Sequence, residues 1–346
     1  MEFIHLLFRG RTTSPWHVGR LKHSNYLYTR RDILWGRGVR GPILRQLWRT
    51  YCPKSDLRER VEFDEERDCL VCASASDCPF YNLRGCDDEG EFKDKPRLIV
   101  SNLSFVSDFE VGRVALVSMD DSLRSAIPQK APVYVEYIPS GVEFVFEVIL
   151  MADGTRFCRE VEEAAEVSLK FHGWGGFSNE GFGRGEIVEV VRRNFQEFEE
   201  FALKPSVKKI LSGKKVVFEI KPILILDREK GGWYTSILEE GFLNKLCNSI
   251  NERYWQFYTT HTYTQQTVRN VSGRAKSLKI KGWSMKGKPP NTDFKGIGGE
   301  LIIELKDPNQ EQARALALAK YGIGRYKNQG FGSLNIEGGE NKTATP

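Results

Sequence analysis

The chain has no long apolar run. A stretch such as Pro222 to Leu226 falls far short of the ~20 residues a helix needs to cross a bilayer, which excludes a helical membrane span. Its first residues, Met1 to Phe8, carry Glu2 and His5 and lack a cleavage site, so they read as a strand and not as a signal peptide. The cytoplasm is the compartment this implies. Histidine is scarce, at five, and cysteine is scarce outside one stretch, since five of the seven lie between residues 52 and 95. No charge sign dominates the whole, the net being +5, but acidic residues are few in one part. From Leu203 to Gly296 there are eighteen Lys/Arg against seven Asp/Glu. A basic half of this kind is the footprint of a polyanion-binding surface, with a solvated lysine-rich surface as the alternative. A hydrophobic content of 40% with 28% charged residues describes a globular chain, and 346 residues suffice for two domains with separate cores.

What is present is a repeated glycine pattern. Gly322 and Gly324 precede Gly330, Phe331 and Gly332; Gly173 and Gly175 precede Gly181, Phe182 and Gly183 with the same spacing. Asn179 and Asn328 fall at one offset, and Ile187 and Ile336 follow in apolar stretches with the alternation of strands. A pattern that recurs after 149 residues, from Gly173 to Gly322, in a chain of 346 implies two copies of one supersecondary plan. Glycines at positive φ let backbone N–H groups converge on an anion. Arg325 and Lys327 add charge in the second loop, Tyr326 and Phe331 offer rings for stacking on a base, and Arg184 follows the first loop. The alternative is that the glycines only permit a tight helix-to-strand turn.

Element by element, both halves read as strand, helix, strand, strand, helix, strand. The fold class is therefore α+β: two tandem ferredoxin-like (RRM-like, βαββαβ) domains, with a cysteine-rich insertion in the first. The expected boundaries are 1–195 with the insertion at about 52–95, a linker at 196–214, a second domain at 215–337 and a disordered tail at 338–346. Helices are expected from Pro42 to Tyr51, about Arg159 to Phe171, Ser236 to about Tyr258 and 309–321. Pro42 is placed in the first turn of its helix.

Two such units, each with this glycine loop before its last strand, resemble the RAMP superfamily of CRISPR-associated RNA-binding proteins. The resemblance is nearest to the endoribonucleases that cut precursor CRISPR RNA at its repeats. Three further features carry it: Gly36-Arg37-Gly38-Val39-Arg40-Gly41 before a helix ending at Cys52, the cluster Cys69, Cys72, Cys78-Pro79-Phe80-Tyr81, and the closing Gly296-Ile297-Gly298-Gly299-Glu300 strand. The resemblance implies RNA contacts from Gly173, Gly175, Gly181, Gly183, Arg184, Gly322, Gly324, Arg325, Lys327, Gly330, Phe331 and Gly332, and from Arg37 and Arg40. CRISPR repeat or guide RNA, and other effector subunits, are the implied partners.

Cleavage beside a repeat needs a base, an acid and a cation, because the RNA 2′-hydroxyl attacks its own phosphate; no catalytic metal is expected. Imidazoles suit both proton transfers. His23 lies in a basic loop beside Lys22 and near Tyr26, where the resembling nucleases often keep a catalytic histidine, and His261 follows the long helix of the second unit. His23, His261, Lys22 and Tyr26 are the catalytic candidates; His5, His17 and His172 are read as structural. The same loop has no acid before Asp32, unlike the target-cutting backbone subunits of type III complexes. A non-catalytic subunit holding guide RNA is the alternative function. In a cytosolic chain, Cys-x2-Cys with neighbouring cysteines favours structural zinc over disulfides. Cys69, Cys72 and Cys78 are the ligands, with Cys52 or Cys86 as the fourth; unligated thiols are the alternative. Cys158 and Cys247 are packing residues.

Overall fold

A computed structural model describes residues 2–52, 72, 74–84, 96–117, 119–120, 125–126, 132–229, 231–281 and 293–337. The chain forms two compact units, Met1–Cys86 with Asn102–Arg192, and Asp87–Ser101 with Arg193–Pro346. Among the described residues no helix is long and apolar enough to cross a membrane.

The first unit contains β1 (Phe3–Thr12), β2 (Gly19–His23), β3 (Tyr26–Thr29), β4 (Ile33–Leu34), α1 (Gly36–Tyr51) and α2 (Pro79–Arg84). They are followed by β5 (Leu103–Phe105), β6 (Gly112–Leu116), β7 (Val133–Tyr137), β8 (Glu143–Met151), α3 (Cys158–Val167) and β9 (Gly185–Arg193). One antiparallel sheet runs β9-β1-β8-β5-β4. With α1 and α3 as its crossovers, this is the ferredoxin-like order. Phe8 stands opposite Phe146, their rings parallel at 4.6 Å. Leu6, Phe144 and Val148 are buried with Val39, Ile43 and Leu47 of α1 and Val161 and Ala165 of α3. A second sheet, β2-β3-β7-β6, is built from the segments between β1 and α1 and between β5 and β8. Helix α1 begins six residues earlier than its proline suggests, so Pro42 lies inside it. The early start is capped from a distance: the Gly36 N–H donates to Asn102 Oδ1 at 2.8 Å, satisfying one amide that a helix end leaves orphaned.

The second unit contains α4 (Lys204–Ser212), β10 (Lys215–Leu224), α5 (Phe242–Tyr258), β11 (Val268–Ser272), β12 (Lys276–Lys281), β13 (Asp293–Leu305), α6 (Gln310–Leu318) and β14 (Ser333–Ile336). Its sheet, β11-β13-β10-β14 with β12 also on β13, repeats the ferredoxin-like order. Helix α5 starts at Phe242 and not at Ser236. The Glu239 carboxylate accepts the N–H groups of Thr235 and Ser236 in a turn, Gly241 takes a left-handed φ of 81°, and Leu238 is 86% exposed.

The segment 196–214, expected as a linker, is helical instead. Asn194 and Glu197 form a reciprocal capping box, and the chain turns on through Glu199–Leu203 into α4. Phe198 is fully buried, its ring 5.8 Å from Phe257 and 5.6 Å from Tyr321; Val207 and Ile210 are also buried. Pro205 is accommodated because it falls in the first turn of α4, where a missing N–H is harmless. Of the expected cysteine-rich insertion, Cys52, Cys72 and residues 74–84 are described. Asn82 Nδ2 donates there to the carbonyls of Ala75, Ser76 and Cys78 at 2.9–3.1 Å, tying the Ala75–Asp77 turn to α2. Cys69, Cys86, the Pro289-Pro290 segment and the tail 338–346 lie outside the described residues.

These contacts separate a core segment from a tether. Phe198→Ala should cost about 3–5 kcal/mol in urea unfolding, whereas Phe201→Ala, at a ring 65% exposed, should stay within ~0.5 kcal/mol. Equal effects would contradict the packing described.

Candidate nucleic-acid interface

The two glycine loops have one backbone conformation. Gly173, Gly175, Gly181 and Gly183 have φ of 74°, 90°, 85° and 80°; Gly322, Gly324, Gly330 and Gly332 have 88°, 74°, 82° and 63°. The non-glycine residue at the fifth position is left-handed in both, Phe177 at 60° and Tyr326 at 57°. Their hydrogen bonds correspond as well. Trp174 N–H donates to Gly183 O, as Ile323 N–H does to Gly332 O; Gly176 N–H donates to His17 O, as Arg325 N–H does to Ile225 O. Gly183 N–H donates to Pro15 O and Gly332 N–H to Ile223 O, both at 2.8 Å. A Cβ on Gly183 would lie 2.0 Å from Trp174 O, and one on Gly332 2.1 Å from Ile323 O, so no other residue fits either position.

These bonds revise the anion-cradle expectation. The amides of Trp174, Gly176, Gly181, Gly183, Ile323, Arg325, Gly330 and Gly332 donate to carbonyls of the chain. The glycines thus build the helix-to-strand turn and dock it on the end of the unit's first strand or the segment just after it. What the turn presents outward is side chains. Trp174 and Ile323 are buried beneath the loops, and so is Phe331, at 0% exposure. The expectation that Phe331 stacks on a base is therefore corrected: its ring packs 5.2 Å from Phe294 and 5.8 Å from Tyr326. Tyr326 is 41% exposed.

The loop cations already have carboxylate neighbours. Arg325 Nε lies 2.8 Å from Asp227 Oδ2, with its guanidinium over Trp233, and Lys327 pairs with Glu252. Arg184 is exposed, and its carbonyl accepts the Trp16 indole N–H at 2.7 Å. Arg37 is exposed in the first turn of α1. Arg40 is turned inward, Nη2 donating to the carbonyls of Leu83 and Arg84 at 3.1 and 3.0 Å, so it fastens α2 to α1.

Beneath the second loop lies a residue that the sequence reading passed over. Arg253 of α5 is fully buried. Its guanidinium donates to Gly322 O at 2.7 Å, Tyr321 O at 3.0 Å, Gln256 Oε1 at 3.0 Å and Asn328 Oδ1 at 3.1 Å. Desolvation pulls its pKa down to about 9, partly offset by the Glu252 charge, which still leaves a cation at neutral pH. A planar fork of donors meets carbonyls at the end of the helix preceding the loop, where such groups are otherwise orphaned. In the first loop the corresponding support is neutral, with Trp174 Nε1 donating to Ser168 Oγ at 3.1 Å.

The catalytic candidates divide between the units. In the first, His23 closes β2 directly opposite Tyr26 of β3 and is exposed. Lys22 pairs through its backbone with Leu27. The Tyr26 ring stacks on Tyr134 at 4.8 Å. In the second, His261 is exposed and lies parallel to Trp255 at 6.4 Å. His17 is buried, its Nδ1–H donating to Glu136 O, and burial lowers its pKa. His172, beside the first loop, has its pKa lowered by desolvation and by Arg49 and Arg45; Arg49 Nη1 is 3.2 Å from its ring.

Of the metal candidates, Cys52, Cys72 and Cys78 are described. The Cys78 thiol is pushed up, chiefly by burial. Among the described residues no group of three or more His, Cys, Asp or Glu is arranged to hold a metal ion.

No family model and no curated protein matches the chain. Among solved structures it is similar to a Cas6-related protein from Pyrococcus furiosus, at 10% identity over 98% of this chain and 99% of that one, with a TM-score of 0.43. It is similar to a Cas6 product complex at 14% identity, over 97% of this chain and 100% of that one, with a TM-score of 0.42. A chain of a type III-B Cmr-beta complex bound to cognate target RNA aligns over 56% of this chain and 61% of that one, at 12% identity and a TM-score of 0.38. These are proteins of the kind the motifs resemble. With TM-scores below 0.5, the likenesses carry no argument about what this chain does.

Arg253→Leu should destabilise the chain by about 2–4 kcal/mol in urea, because it leaves several buried acceptors without donors. Arg253→Lys should recover only part of that, since an ammonium cannot span the fork. A loss under ~1 kcal/mol for Arg253→Leu would contradict its role as the loop's anchor.

Proposed function

We propose that this chain binds CRISPR RNA and cuts precursor transcripts within their repeats, without a catalytic metal. The observation that carries this reading is the glycine loop, present twice with one spacing and one backbone conformation. The motif resemblance and the excess of Lys/Arg over Asp/Glu between Leu203 and Gly296 support it.

The chemistry assigned is intramolecular transesterification. A base removes the proton of the 2′-hydroxyl, whose oxygen bonds to the adjacent phosphorus. The bond from phosphorus to the 5′-oxygen breaks, and an acid protonates that oxygen. The products are a 2′,3′-cyclic phosphate upstream and a 5′-hydroxyl downstream. We assign proton transfer to His23 first and His261 second, because both imidazoles are exposed, whereas His17 is buried and committed through Nδ1. Lys22 is the cation assigned to the phosphorane. Arg184, Arg325, Tyr326 and Arg37 are the assigned RNA contacts of the loops and of α1. Arg325 remains available to phosphate because an exposed ion pair such as that with Asp227 is worth only ~0–1 kcal/mol.

The rival reading is a subunit that holds guide RNA without cutting it. A direct assay separates the two. Repeat RNA incubated with the purified chain in EDTA should be cut at one position, and His23→Ala should slow cleavage by roughly 10²–10⁴-fold. Tight, salt-sensitive binding without turnover would establish the rival.

We also propose a structural zinc ion held by Cys69, Cys72 and Cys78 with Cys52 or Cys86. Its support is the sequence spacing, a Cys69-x2-Cys72 pair followed by Cys78, which suits a zinc ligand set. Elemental analysis should find one zinc per chain, lost in Cys78→Ser with a lower melting temperature. A zinc-free preparation of equal stability would exclude it.

A further inference from the structure

The second sheet of the first unit has an outer face that neither the ferredoxin-like core nor the glycine loops use. Side chains alternate along its strands. On β3, Tyr26 and Tyr28 share one face; Tyr134 of β7 stands beside Tyr26 in the parallel pairing, and Ala115 of β6 stands beside Tyr134. His23 is directly opposite Tyr26 on β2, so it joins the same face. The opposite face carries Val135, which is fully buried. The tyrosine face therefore looks outward. Tyr26 is 38% exposed, Ala115 and Arg113 are exposed, and Tyr28 and Tyr134 are half-buried.

The three rings form a cluster centred on Tyr26. Tyr26 and Tyr134 lie 4.8 Å apart at an interplanar angle of 14°, and Tyr26 and Tyr28 lie 6.5 Å apart at 29°. Ala115 leaves the flank of Tyr134 low. No Asp or Glu occurs in the sequence from Phe3 to Arg31, and on this face Arg113 of β6 is exposed. The carboxylate on this face, Glu136, is buried, accepts the Thr29 N–H and pairs with Arg113 at 3.2 Å.

Clustered aromatic rings on an open sheet face, with the exposed Arg113 beside them and no acid in the hairpin's own sequence, match the chemistry of unpaired bases on a phosphate chain. We propose that Tyr26, Tyr28 and Tyr134 form a stacking platform for unpaired bases of single-stranded RNA. This rests on the RNA-processing reading and gives Tyr26 a role other than proton transfer. It holds a nucleotide next to His23, its cross-strand neighbour. Tyr26 is thus a positioning residue for the strand, and bases are gripped by their faces without readout of their edges.

The test uses the full chain and a short single-stranded RNA lacking self-complementarity, with affinity read by fluorescence anisotropy. Tyr26→Phe and Tyr134→Phe should bind within about 2-fold of the unsubstituted protein, because the rings remain. The double substitution Tyr26→Leu with Tyr134→Leu should weaken binding by about 10-fold or more, with the salt dependence unchanged because phosphate contacts persist. Independently of how the leucine variant folds, the unsubstituted protein is also crosslinked to RNA carrying 4-thiouridine, and crosslinks should map to peptides containing Tyr26, Tyr28 or Tyr134. Crosslinks confined to other peptides would overturn the platform, as would a folded leucine variant with unchanged affinity, including one whose only change is in self-association. Cleavage of a repeat hairpin by a protein that binds no single strands would leave the processing reading standing and remove the platform. Tyrosine-dependent binding without cleavage would do the reverse.

Discussion

The structure depends on two places where a carbonyl oxygen occupies the space a side chain would need, at Gly183 and Gly332. Because each glycine also sits at positive φ, the chain can leave its second helix, reverse and enter the last strand in a few residues. The same turn donates an N–H to Pro15, just past the first strand of one unit, and to Ile223, at the end of the first strand of the other. That bond closes the ferredoxin-like arrangement, in which the last strand lies beside the first. Everything displayed on the loop's outer side is held by this inner bonding. The loop is thus a fixed mount, and what it presents outward is side chains.

The two mounts carry different side chains on the same backbone. The first is supported by indoles, Trp16 and Trp174, and packs Phe177 against His17. The second is supported by a buried guanidinium and carries Arg325, Tyr326 and Lys327. A buried cation is costly unless every donor is met, and Arg253 meets four acceptors with its fork. The cost of burying it is offset by satisfying carbonyls that would otherwise be orphaned at the end of the helix. The two loop cations differ in availability. Arg325 remains half-exposed beside Asp227, whereas the Lys327 side chain is mostly covered where it meets Glu252.

The amino-acid sequence revealed the repeat because glycine spacing directly reflects backbone conformation. Strand alternation then supplied most of the ferredoxin-like plan. Three features escaped for identifiable reasons. Arg253 falls with Ile250, Tyr254 and Phe257 on one helical stripe, and a charged residue at i+3 in an apolar stripe was the available signal of a buried anchor. The segment 196–214 looked like a connector because of its acidic run and Pro205, yet Phe195 and Phe198 already had the i, i+3 spacing of a buried face. The stacked tyrosines were only half visible. Tyr26 and Tyr28 alternate in one strand, but Tyr134 reaches them through a pairing between strands more than a hundred residues apart, which local periodicity cannot encode.

The central claim is that this chain makes RNA attack itself. Mass spectrometry of the upstream fragment from repeat RNA, alongside a substrate with 2′-deoxyribose at the cut nucleotide, tests it most directly. The account predicts a fragment ending in a 2′,3′-cyclic phosphate and no cleavage of the deoxy substrate. An upstream fragment ending in a 3′-hydroxyl, or cleavage that survives the deoxy substitution, would contradict it.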